Sequence, residues 1–102
     1  MRGVEDMDML LLRIKALSDQ NRLEILRLLM QKHYCVRALS RRLEISEAAV
    51  SQHIKVLREA GLIRVERRSY YHHYQVDTEV LHKIAQGIDQ LTEGTAHEYC
   101  RS

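Results

Sequence analysis

A chain of 102 residues with 45% hydrophobic and 29% charged side chains has material for one core and reads as a single globular domain, not a disordered tail. No apolar run approaches the roughly 20 residues that cross a bilayer. Met9–Leu12, followed by Arg13 and Lys15, is too short for a secretory h-region, so a cytoplasmic protein without a membrane partner is expected. The net charge of +2 is unevenly spread. Between Arg37 and Gln75 eight Lys/Arg face four Glu, a balance of +4, whereas Val76–Ser102 carries two basic and five acidic residues, or −3. A basic middle suits a nucleic-acid surface, with an ordinary solvated face as the competing explanation.

Met7, Leu10, Leu11, Ile14 and Leu17 recur at helical spacing and predict a helix over 4–17, acidic early and basic late as the helix dipole prefers. Ser18-Asp19-Gln20 supplies caps for a second helix over 20–31. Its wide apolar set, Leu23, Ile25, Leu26, Leu28, Leu29 and Met30, predicts a central, buried position. A third helix over 36–43 points Val36, Leu39 and Leu43 inward and Arg37, Arg41 and Arg42 outward.

After a tight turn at Glu44-Ile45, Ser46 can cap a fourth helix that Gly61 ends. Val50, Ile54 and Leu57 share one stripe, while Ala48, Ser51, Gln52, Lys55 and Glu59 lie opposite. That outer face is small and polar near its start. It can enter a major groove about 12 Å wide, where Gln and Ser meet base edges and Lys meets phosphate. Taken alone it would be an ordinary amphipathic helix; with its predecessor it makes a helix-turn-helix over 36–61.

Beyond Gly61 the period changes to two, predicting strands over 62–67 and 71–76 around an Arg68-Ser69-Tyr70 tip, a basic wing over 62–76. Asp77-Thr78 can cap a last helix over 78–93 whose Leu81, Ile84, Ile88 and Leu91 form a seam. The apolar faces of the first and last helices exceed what one small core needs. They predict a homodimer, the alternative being closure over the monomer's own core. The expected fold class is therefore mainly α with a small β-hairpin, a winged helix-turn-helix of order α-α-α-α-β-β-α in one domain over 1–102.

Ala16-Leu17-Ser18-Asp19, Asn21-Arg22-Leu23-Glu24-Ile25-Leu26 and the run Val50-Ser51-Gln52-His53-Ile54-Lys55-Val56-Leu57-Arg58-Glu59-Ala60-Gly61-Leu62-Ile63 resemble the ArsR/SmtB family of bacterial repressors. The resemblance covers about 14–76 without a gap. It implies a homodimeric repressor, not an enzyme, that holds double-stranded operator DNA and releases it when an effector binds, in most members a metal or metalloid ion. Residues expected at the DNA are Ala48, Ser51 and Gln52 facing bases, Arg41, Arg42 and Lys55 on phosphates, and Arg67 and Arg68 on the backbone from the wing, with the cap Ser46 also counted in the DNA-binding set. His53 flanks this face, either donating to a phosphate or packed and satisfied.

The family's sensor sites do not carry over. Where a Cys-Val-Cys would hold a thiophilic ion stands Cys35-Val36-Arg37, and a guanidinium is no ligand. The last-helix site would fall on Thr78, Val80, Leu91 and Gly94, none of which can serve. Cys35, His97 and Cys100 remain as candidate ligands for arsenic, zinc, nickel or copper, with His33, His72, His73 and His82 as possible completions. The bland alternatives are a polar tail for His97 and Cys100, a small buried hydrophobe for Cys35, and wing packing or phosphate contact for His72 and His73. Two cysteines are too few for a disulfide framework and read as free thiols. The same pair supports a rival thiol-based redox or persulfide sensor. A winged-helix module that docks on protein is the reading from another class.

Overall fold

Helix positions along the chain follow from four side-chain caps. In the computed structural model, which describes residues 4–68 and 70–93, helix α1 (Val4–Leu17) is followed by α2 (Gln20–Gln31), α3 (Val36–Leu43) and α4 (Glu47–Glu59). An antiparallel hairpin of β1 (Ile63–Arg68) and β2 (Tyr71–Val76) leads into α5 (Thr78–Asp89) and a 3-10 turn at Gln90–Thr92. Asp19 accepts from the Arg22 amide at 3.0 Å, Ser46 from Ala49 at 3.0 Å and Asp77 from Val80 at 3.2 Å. Each satisfies an amide that the first turn leaves orphaned. At α3 the cap is Cys35, whose Sγ accepts from the Ala38 amide at 3.4 Å.

The core lies where α2, α3, α4, β1 and α5 meet, and includes Ile25, Leu28, Leu39, Val50, Leu57, Leu62 and Ile63. The stripe Val50, Ile54 and Leu57 is buried. Helix α2 is less enclosed than its composition suggests: Ile25, Leu26, Leu28 and Leu29 are buried, but Leu23 and Met30 are exposed. Those two are seven residues apart, on a face that nothing in the described chain covers. Gly61 adopts φ +80°, the left-handed conformation that stops α4. Glu44 takes the same region at φ 57° between α3 and α4, although it is not glycine.

Three boundaries differ from expectation. The first strand begins at Ile63 rather than Leu62, because the Leu62 amide closes α4 on Leu57 O at 2.9 Å and the Leu62 carbonyl accepts from Asp77 at 2.8 Å. Pairing then runs Ile63 with Val76 through Arg68 with Tyr71, so Arg68 belongs to the strand and not the tip. The last α-helix stops at Asp89, not Glu93. There the Thr92 hydroxyl donates to the Asp89 carbonyl at 2.8 Å, and no basic residue in the final turn offsets the dipole. No described helix is long and apolar enough to cross a membrane.

Candidate nucleic-acid interface

A short turn fixes α4 against α3. The Ser40 hydroxyl donates to the Ile45 carbonyl, and the Ile45 amide returns to Ser40 O at 3.2 Å. With Val50, Ile54 and Leu57 held inward, Ala48, Ser51, Gln52, Lys55 and Glu59 are all exposed, as is the cap Ser46. A helix that buries its branched side chains and shows water only small and polar ones has an outer side free to approach a base edge. Arg41 and Arg42 are exposed on α3, where the Arg42 guanidinium lies 5.6 Å from the Tyr34 ring centre and Lys32 Nζ 5.4 Å from the same ring.

The hairpin presents two faces. Val65, Arg67, His72 and Tyr74 share one through the pairs Val65 with Tyr74 and Arg67 with His72. A cleft of about 550 Å³ separates this face from α4, lined by Ser51, Lys55, Arg58, Glu59, His72 and Tyr74 among others. Burial pushes the Tyr74 hydroxyl above its usual range. Arg58 is a cation in this cleft that wheel arithmetic overlooked, since it lies outside the five residues assigned to the outer face. Arg67 is exposed; Arg68 also reaches solvent but pairs with Glu66 at 2.9 Å, and holds that carboxyl below its usual range. An exposed pair of this kind contributes little, so Arg68 can exchange Glu66 for a phosphate at small cost.

On the opposite face His73 is buried at 5% exposure against the exposed His33, ring centres 3.9 Å apart. Desolvation holds the His73 imidazole below its usual range, the His33 and Arg68 charges act in the same direction, and Glu66 opposes them. His72, its sequence neighbour, is exposed, as strand alternation requires. His53 is turned away from solvent with its side chain 18% exposed, its Nδ1 3.2 Å from Arg22 Nη1 and its Nε2 4.0 Å from Asp19. The Arg22 backbone N–H is the main reason the Asp19 carboxyl sits below the usual range.

Among the described residues the sensor candidates are not assembled. Cys35 is exposed, not the small buried hydrophobe that a lone cysteine usually is, because its sulfur faces the open N-terminus of α3. Arg37 lies 3.9 Å from Glu47. Among the described residues no three His, Cys, Asp or Glu side chains come together as a metal site. His97 and Cys100 lie outside the described residues.

Comparison with known proteins adds to this geometry. The family model described as "Bacterial regulatory protein, arsR family" matches residues 19–65, from the cap of α2 into β1. An arsenical resistance operon repressor of Staphylococcus xylosus is 36% identical over 89 residues, spanning 87% of this chain and 86% of that protein. Among solved structures, an ArsR-like transcriptional regulator from Rhodococcus sp. RHA1 superposes with TM-score 0.78 at 27% identity, covering 86% of this chain and 83% of that one. A homodimeric winged helix-turn-helix DNA-binding domain from Mycobacterium bovis shares the fold at TM-score 0.71 and 23% identity, over the full length of both chains.

Proposed function

Because the chain belongs to the arsR family of bacterial regulatory proteins, we propose that it is a homodimeric repressor that reads a pseudo-palindromic operator and leaves it when an effector binds. Its family is one of transcription regulators, not enzymes. The observation that carries the reading is the outer side of α4, where Ala48, Ser51, Gln52 and Lys55 stand exposed over a buried Val50-Ile54-Leu57 stripe. In that role Ser51, Gln52 and Ala48 face bases. Lys55, Arg41 and Arg42 take phosphates, and Arg67 and Arg68 grip the backbone beside the wing.

A second copy is supported by the apolar residues that α1, α5 and the 3-10 turn after it leave uncovered, with Met7 55%, Leu11 49%, Leu12 47%, Ile88 47% and Leu91 63% exposed. The homodimeric Mycobacterium bovis domain of the same fold supports it as well. Two recognition helices related by a two-fold axis would meet half-sites one turn of duplex apart.

For the effector, a metal or metalloid ion is favoured by the name of the Staphylococcus xylosus relative. The residues at the family's Cys-x-Cys position do not fit such an ion, since Arg37 replaces the second thiolate, so Cys35 would act with His97 and Cys100 instead. The exposure of Cys35 favours a second reading, in which oxidation or persulfidation of Cys35 and Cys100 releases the DNA.

A gel shift with DNA from upstream of the chain's own gene, repeated over a range of salt, tests the regulator reading. Binding that weakens steeply with salt is expected. Its absence would favour a protein-docking module. Titration of bound DNA with arsenite, zinc, nickel, copper and a thiol oxidant separates the two effector readings, because only one class of agent should release it.

A further inference from the structure

Helix α4 is held at two places by arginines that belong to other helices. At its middle, Arg22 from α2 brings Nη1 to 3.2 Å from His53 Nδ1. The same guanidinium donates from Nε to Ala16 O at 2.6 Å and from Nη2 to Lys15 O at 3.4 Å, carbonyls in the last turn of α1, of which Lys15 O also accepts from the Ser18 amide at 3.1 Å. Asp19 Oδ2 lies 4.0 Å from Arg22 Nη1, and Asp19 Oδ1 lies 4.0 Å from His53 Nε2. At the far end of α4, Arg13 from α1 donates through Nε to Ala60 O at 3.3 Å, a terminal carbonyl with no place in the helix ladder.

We propose that Arg13 and Arg22 are positioning residues for DNA recognition, a two-point strut that fixes the tilt of α4 relative to α1. This rests on the regulator reading above. His53 and Ala60 are seven residues apart, about 10 Å along a helix that rises 1.5 Å per residue. One anchor would let the rod pivot; two at that spacing set its axis. Arginine suits the central anchor because its rigid fork serves three acceptors at once, which a lysine ammonium cannot do in one plane. Arg22 has only donors, so His53 must accept at Nδ1, leaving Nε2 as the N–H beside Asp19. The Arg22 side chain is only 17% exposed, which keeps it from acting as a phosphate clamp. Since α1 also carries the uncovered Met7, Leu11 and Leu12, the strut ties the arrangement of two subunits to the angle at which α4 meets DNA.

The test compares operator affinity for the intact chain and for Arg22→Met, Arg13→Met, His53→Asn and His53→Gln, each at several salt concentrations and each checked by circular dichroism. Loss of a charge-assisted anchor should lower specific affinity about tenfold in Arg22→Met. The dependence of log K on log salt should stay as in the parent, whereas loss of a direct phosphate contact lowers that slope by about one. The histidine pair decides the matter even if an arginine variant fails to fold. Asn places an oxygen where Nδ1 stood and Gln places its polar end where Nε2 stood. The strut therefore requires His53→Asn to recover most of the affinity that His53→Gln loses. The reverse order, or a slope reduced in Arg22→Met, would overturn the proposal and make these residues direct DNA contacts. A parent chain that shows no salt-dependent operator binding would instead sink the regulator reading, and the strut with it.

Discussion

The outward side of α4 and the outward sides of α1 and α5 are made of opposite materials, although all three helices pack on one small core. On α4 the side chains left in water include Ala48, Ser51, Gln52 and Lys55; on α1, α5 and the 3-10 turn after it they include Met7, Leu11, Leu12, Ile88 and Leu91. Fully covering each large apolar side chain contributes about 1.5–3 kcal/mol, a strong incentive for a second protein surface. The α4 face offers almost no such gain and instead presents hydrogen-bonding groups that need an equally polar partner. On the proposed reading, a single chain thus keeps the surface that would meet a second copy apart from the surface that would read DNA.

Breaking the apolar side should have the largest effect. Leu12→Glu is expected to give a monomer by light scattering and to cost about 100-fold or more in operator affinity, the scale on which two linked sites reinforce each other. A dimer with parental affinity would remove α1 from the interface. Next comes the floor beneath the polar side: Leu57→Ala should cost about 2–5 kcal/mol in urea unfolding, since Leu57 is fully buried, while the exposed Ser51→Ala should stay within about 0.5 kcal/mol.

The polar side itself can be divided. Gln52→Ala should lose about 1–3 kcal/mol against the operator, chiefly at one base pair, and leave random duplex binding unchanged. Arg68→Ala should weaken all sequences alike and lower the salt slope by about one. Equal behaviour of the two variants would mean that α4 does not read bases.

The smallest effect concerns the wing and pH. Folding lowers the His73 pKa, so below the unfolded value of about 6.5 the unfolded chain binds more protons than the native one. Stability should therefore be level above that pH and fall as acid carries the solution down towards the folded value. Comparing urea midpoints at about pH 7.5 and pH 5.5 checks this, and His73→Gln should reduce the difference. The lowered Asp19 and Glu66 carboxyls contribute in the same direction, but only where carboxylates begin to protonate, at lower pH.

Periodicity and caps carried most of the fold. Alternation at 3.6 residues placed α1 through α4, and Ser46 and Asp77 marked helix starts that the side-chain bonds match. The shift to a period of two marked the hairpin to within one residue. Its tip has no glycine to fix a turn type, and Leu62 is claimed by the end of α4. What the chain order concealed was contact across it. His53 and Arg22 are 31 residues apart, so a wheel could place His53 on a flank but not name its partner. His33 and His73 meet only because the α2–α3 connection passes under the wing, and alternation alone could say no more than that one of His72 and His73 turns inward. Cys35 reads as a ligand or a buried hydrophobe until the start of α3 is seen to need a cap.

Hydroxyl-radical footprinting of the upstream DNA, with the protein-to-duplex ratio measured on the same complex, tests the central claim most directly. Two chains per site and two protected patches separated by one helical turn, about 34–36 Å, are the expected result. A single chain protecting one patch, or uniform protection with no centre of symmetry, would contradict it.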